Sequence, residues 1–142
     1  MHYEKSCGAV IFYLKNGKPE FLLLEYAKGY FDFAKGHVEK NENELQTMER
    51  EVLEETGLKG LKIIKGFRKE ISYFFKNEKR ELVKKTVVFF LCESESQRVK
   101  ISHEHKSFKW LSFDAALKQL NYGNSRKILN EAFEFLSKNK LV

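Results

Sequence analysis

Residues Lys35–Leu58, KGHVEKNENELQTMEREVLEETGL, gather seven glutamates into twenty-four positions of a chain whose net charge is +6. Asn41 is placed to N-cap a helix with Glu44 at the third helical position, and Gly57 to end it in the left-handed conformation. The spacing predicts a helix from Glu42 to Thr56. On it, Leu45, Met48 and Val52 form an apolar stripe, while Glu51, Glu54 and Glu55 share a neighbouring face. Like charges at this spacing repel by ~0.2–0.5 kcal/mol per exposed pair, and more when partly buried. Arg50 stands four residues before Glu54 and can pair with it, but one guanidinium does not neutralise the cluster. A hard divalent cation does. Oxygen donors without His or Cys in the helix favour Mg²⁺ or Mn²⁺ over Zn²⁺, and Mg²⁺ binds through few carboxylates plus water and phosphates. Phosphate chemistry is the natural pairing.

Around this helix the chain reads as strands, then helices. Cys7 to Leu14 is a buried strand, and Asn16-Gly17 supplies the positive φ of a hairpin leading into Glu20 to Tyr26. Leu61 to Phe75 and Lys84 to Glu93 are rich in Ile, Val, Phe and Tyr and read as two long strands joined near Asn77 to Arg80. A shorter strand at Ser107 to Leu111 precedes helices from Ser112 to Asn121 and from Ser125 to Lys138, each with a Ser as N-cap. Strands on both sides of one helix, then terminal helices, imply a mixed sheet packed between helices.

Composition bounds the remaining choices. A chain of 142 residues fits one domain with one continuous core, and 42% hydrophobic with 32% charged residues excludes a disordered tail or a fibrous repeat. The excess of 26 Lys+Arg over 20 Asp+Glu favours anionic ligands, although a solvated basic surface accounts for as much. Cys7 and Cys92 lie in apolar runs with no CxxC spacing, and the N-terminus carries no signal-peptide pattern or bilayer-spanning run. A cytoplasmic monomer with no membrane partner is expected.

A solvated, Glu-rich helix explains three glutamates, but not their wider frame. Gly36, Glu42, Arg50, Glu51, Val52, Glu54, Glu55, Gly57 and Leu58 fit G-x5-E-x7-R-E-U-x-E-E-x-G-U, where U is a bulky aliphatic residue. This segment resembles the Nudix box. The resemblance implies an α/β (α+β) fold, an α/β/α sandwich around a mixed sheet with a loop-helix-loop motif. It also implies a divalent-metal-dependent hydrolase acting on a nucleoside diphosphate linked to another group. Carried over by position, it makes Glu51, Glu54 and Glu55 metal ligands, with one of them or a nearby glutamate as general base. Arg50 orients a glutamate, Glu42 holds the loop and helix start, and Gly36 lets the backbone approach the metal.

Three further runs, YFDFAKGHVEKNE, KTVVFFL and ISHEHKSFKWLSFDAAL, resemble the asymmetrical diadenosine tetraphosphate hydrolases. That group usually carries Trp and a Pro-Lys-Gly-His run before the box. Here Phe31 and Ala34 replace the Trp and the Pro, while Lys35-Gly36-His37 is kept, so substrate preference is the point left open. The resemblance implies dinucleoside polyphosphate as substrate, cleaved to ATP and AMP. Lys35, His37 and Lys85 bind the polyphosphate, with Lys84 on the opposite face of its strand. Glu104, flanked by His103 and His105, is a metal ligand or base; the two histidines lack a third soft ligand for Zn²⁺. Tyr73 and Tyr122 stack on a base, whereas core packing is the plainer reading of each. Other Nudix chemistry, such as removing pyrophosphate from RNA 5′ ends or cleaning up modified nucleotides, uses the same box. A non-catalytic nucleotide- or RNA-binding module is the remaining class.

Overall fold

Asn16 and Gly17 have φ of 53° and 78°, the paired positive values of a tight hairpin turn. They join β1 (His2–Lys15) to β2 (Lys18–Tyr26) in the computed structural model, which describes residues 1–142. Two short strands follow, β3 (Phe31–Asp32) and β4 (Ala34–His37), then α1 (Glu44–Thr56), β5 (Lys62–Lys76), β6 (Leu82–Glu93), β7 (His105–Leu111), α2 (Phe113–Gln119) and α3 (Gly123–Lys138). The seven strands form one sheet whose main path is β3-β2-β1-β6-β5, with β4 paired to β1 and β7 to β2. β1 and β6 run parallel and every other pair antiparallel, so the sheet is mixed as expected.

Period-two alternation builds the two layers. Val10 and Phe12, Phe21 and Leu23, Val87, Phe89 and Leu91 face a core closed by Ala116, Ile128, Leu129 and Leu136 of α2 and α3. Their neighbours Ala9 and Ile11, Leu22 and Leu24, Val88 and Phe90 face a second core closed by Met48 and Val52 of α1. These faces make the α/β/α sandwich.

Three local expectations need correction. The N-cap of α1 is Asn43, not Asn41: its side chain accepts from the Gln46 N–H at 2.8 Å, and Gln46 Oε1 accepts from the Asn43 N–H at 2.9 Å. Asn41 instead takes φ of 68°, unlike the extended cap conformation. Glu42 is drawn out of the helix because its carboxylate accepts from the Glu39 N–H, Thr47 Oγ1 and Arg50. Secondly, Ser125 does not cap α3; it is buried inside the first turn, where Oγ donates to Asp32 Oδ1 at 2.9 Å. Thirdly, the residues entering the box form a strand. β4 lies so close to β1 that a Cβ on Gly8 would strike the Ala34 carbonyl and Lys35, which requires glycine opposite Lys35.

Candidate active site

Alternation along β4 sends Lys35 and Gly36 to opposite faces. A Cβ at Gly36 would occupy the space of the Glu51 carboxyl group. The absent methyl therefore lets Glu51 lie against the strand. One turn later in α1, the buried Glu55 accepts the Lys35 N–H at Oε1, 3.4 Å away. Arg50 organises the surround. Its Nε and Nη2 grip Glu42 at 2.6 and 3.0 Å, Nη1 donates to Glu51 Oε1 at 2.8 Å, and Nη2 also donates to the His37 carbonyl at 2.9 Å. Hydrogen bonds from Arg50 and the Glu39 backbone pull the Glu42 pKa down to about 2.

Glu55 behaves in the opposite sense. Burial, followed by hydrogen bonding and repulsion from Glu51 and the charge of Glu104, raises its pKa to about 9. Two carboxyl groups confined with one guanidinium are short of positive charge, and an oxygen-ligated divalent cation fits that need. Glu54 is 58% exposed, 3.3 Å from Arg50, and Glu104 is also exposed. Thus Glu51 and Glu55 are brought together, whereas no three acidic groups converge on one point.

On the other face of β4 lies a cavity of about 330 Å³, lined by Tyr30, Asp32, Lys35, Tyr73, Tyr122 and Ser125 among others. The two tyrosines singled out in the sequence both line it. Lys35 Nζ lies 3.0 Å from Asp32 Oδ2; burial works to lower the Lys35 pKa, but the charge and hydrogen bond of Asp32 raise it. Asp32 is itself fixed by the Phe33 N–H at 2.8 Å and by Ser125. Lys85 stands beside Tyr73 in the sheet register and is buried, which lowers its pKa. His37 is 66% exposed. Both Lys85 and His37 approach the same Glu4 Oε1, at 3.5 and 3.6 Å. Lys84 is on the other face from Lys85.

His105 closes the carboxylate side from behind. Its side chain is 1% exposed, and Nε2 lies 3.6 Å from Glu55 Oε1. Burial lowers its pKa despite Glu104 and so favours the neutral ring. The Tyr26 ring packs against it edge-on at 4.5 Å.

A family model described as the NUDIX domain matches residues 5–132. The chain belongs to the Nudix family. It is 35% identical to the asymmetrical bis(5′-nucleosyl)-tetraphosphatase of Mus musculus, over 93% of this chain and 95% of that one. The protein of the same name from Caenorhabditis elegans is 31% identical over 94% and 96%. Among solved structures, a C. elegans Ap4A hydrolase binary complex superposes with a TM-score of 0.84 at 29% identity, covering 95% of this chain and 98% of that chain. The E. coli dihydroneopterin triphosphate pyrophosphohydrolase, at 23% identity and TM-score 0.73, shares the fold, covering 92% and 97%.

Within the Nudix frame, four contributors escaped the sequence reading. Asp32 and Ser125 are ninety-three positions apart and meet only where the start of α3 reaches β3. Glu4 lies in an N-terminal strand with no motif around it. His105 was legible as part of His-Glu-His, but the sequence drew attention to the glutamate, and only burial singles out the ring.

Proposed function

We propose that this Nudix protein hydrolyses dinucleoside polyphosphates, with diadenosine tetraphosphate cleaved to ATP and AMP. One observation carries the reading: β4 carries the Glu51–Glu55 pair on one side and, on the other, a tyrosine-lined cavity holding the Lys35–Asp32 pair, the two sides joined through Lys35. A ligand with a long phosphate chain and a flat base spans that arrangement. The names of its relatives agree with it.

The residues divide the work as follows. Glu51 and Glu55, with the Gly36 backbone, would hold Mg²⁺ or Mn²⁺, and Glu54 and Glu104, which lie exposed, would swing in to complete the ligand set. When bound, such an ion lowers the pKa of water and screens phosphate charge. Arg50 fixes Glu51, and Glu55, which keeps its proton in the metal-free site and would be ionised with a cation beside it and Glu51, accepts the proton of the attacking water. Attack falls on the phosphorus fourth from the far nucleoside; AMP keeps the oxygen of water and ATP departs. Lys35, Lys85 and His37 stabilise the bridging and leaving oxygens, which requires Lys35 to exchange Asp32 for phosphate and the other two to exchange Glu4. Tyr73 and Tyr122 hold the base. The reading includes a monomer in the cytoplasm; no helix is long and apolar enough to cross a membrane.

The test is chromatography of products from diadenosine tetraphosphate with Mg²⁺ or Mn²⁺, beside Glu55→Gln. ATP plus AMP from the wild type, and loss of turnover in the variant, is the expected result. Two ADP, or no cleavage with either ion, overturns the reading.

A further inference from the structure

His105 Nε2 is the one buried side-chain nitrogen or oxygen without a hydrogen-bond partner. Leaving such an atom unpaired is costly, so its direction is informative. The Ser102 hydroxyl accepts the Glu104 N–H at 3.3 Å and lies 3.0 Å from His105 Nδ1. The hydroxyl still has its own proton to donate to Nδ1. In a neutral ring this leaves the hydrogen on Nε2, the nitrogen aimed at Glu55. The same loop is tied to the end of α1: the Ser102 N–H donates to the Glu55 carbonyl at 3.3 Å and the Lys100 N–H to the Thr56 carbonyl at 2.9 Å. Tyr26 fixes the ring plane, and its own hydroxyl is anchored on the Phe33 carbonyl at 2.6 Å. Imidazole and carboxyl group are therefore held in one frame, separated by 3.6 Å.

We propose that His105 is a positioning residue for Glu55: Ser102 fixes the Nε2–H tautomer, and that N–H closes onto Oε1 in the working site, leaving Oε2 to face water and ion. Closing needs a shift of ~0.6–0.7 Å to reach ordinary N–H···O length, within the reach of a glutamate side-chain torsion. Paired with the Lys35 N–H on the same oxygen, it leaves Glu55 one orientation. This inference rests on the proposed role of Glu55.

The test compares His105→Leu, His105→Gln and Ser102→Ala in the full chain, each first checked for wild-type circular dichroism. A Gln amide nitrogen can take the place of Nε2; Leu offers no donor. Loss of a group that orients a ligand typically costs about 10–100-fold. His105→Leu should lower kcat on diadenosine tetraphosphate by at least about tenfold with KM within about twofold, and weaken Mn²⁺ binding in calorimetry by about tenfold. His105→Gln should restore most of both, and Ser102→Ala should fall between. Long-range ¹⁵N–¹H spectra of the metal-free wild type should show the Nε2–H tautomer. An Nδ1–H tautomer, or a His105→Leu protein with wild-type kcat and Mn²⁺ affinity, overturns the proposal. So does equal loss in the Leu and Gln variants. A wild type that neither cleaves nor binds Mn²⁺ would overturn the functional reading, while the tautomer spectrum still decides the ring's part.

Discussion

Removing metal from this protein should make its stability fall as pH rises. Glu55 has an ordinary pKa of 4.5 in the unfolded chain and about 9 in the folded one. Between those values the native state keeps a proton that the unfolded state has released, so stability is fully present below the lower value and is lost as pH climbs toward the upper. The groups responsible face Glu55 from every side: Glu51 on α1, Glu104 and the neutral His105 beside it, and the Lys35 N–H, which alone favours the ionised form. One proton of difference corresponds to about 1.36 kcal/mol per pH unit, or about 3 kcal/mol between about pH 6 and pH 8. With an unfolding entropy of about 0.3 kcal/mol/K for a chain of 142 residues, that interval lowers Tm by roughly 10 °C. The assay is thermal melting in EDTA across that range, with Glu55→Gln as the control that carries every other titration. Adding Mg²⁺ should flatten the wild-type slope, because a cation between Glu51 and Glu55 favours the ionised pair. Parallel slopes for wild type and Glu55→Gln in EDTA would refute the reasoning.

Further expectations concern single contacts. Gly36→Ala places a methyl in the space of the Glu51 carboxyl group; the chain should still fold, at a cost of ~1–3 kcal/mol, with kcat down about 100-fold. Steady-state kinetics with wild-type kcat would show that Glu51 has room elsewhere. Asp32→Ala strands Lys35, the Phe33 N–H and Ser125, and should lower stability in urea unfolding by ~2–3 kcal/mol, the lower range because Lys35 keeps some access to water. Asn43→Ala removes the cap of α1 and should cost ~1 kcal/mol in the same assay, whereas Asn41→Ala should not. Tyr122→Ala should raise KM about tenfold with little change in kcat if its ring stacks on a base.

The sequence carried the sandwich because its long strands are densely β-branched and aromatic and its turns are marked by Asn-Gly and Gly57. The helix of the box was legible from glutamate spacing, yet its start was misplaced by two residues. Two asparagines compete there, and the winner depends on where the Glu42 carboxylate goes, which Arg50 decides from two turns away. β4 was hidden because Lys-Gly-His has no strand propensity; pairing with β1 imposes it. For the site, spacing put Glu51, Glu54 and Glu55 on one face, and the resemblance to the Nudix box named the other positions. The buried contacts behind them, such as Ser125 on Asp32 and His105 facing Glu55, join distant stretches and leave no local trace.

The tight seating of β4 on Gly8 has a consequence for anyone transplanting this box. A slip of one residue in the β1–β4 pairing would turn Lys35 onto Glu51 and Gly36 into the cavity, exchanging the acidic and basic halves while every motif residue stayed in place. Glycine at position 8, twenty-eight residues before the motif's own first glycine, is what makes the present alignment sterically available. The transferable unit is therefore a pair of strands in fixed phase with a helix, and the 24-residue box moved alone would carry its ligands without their geometry.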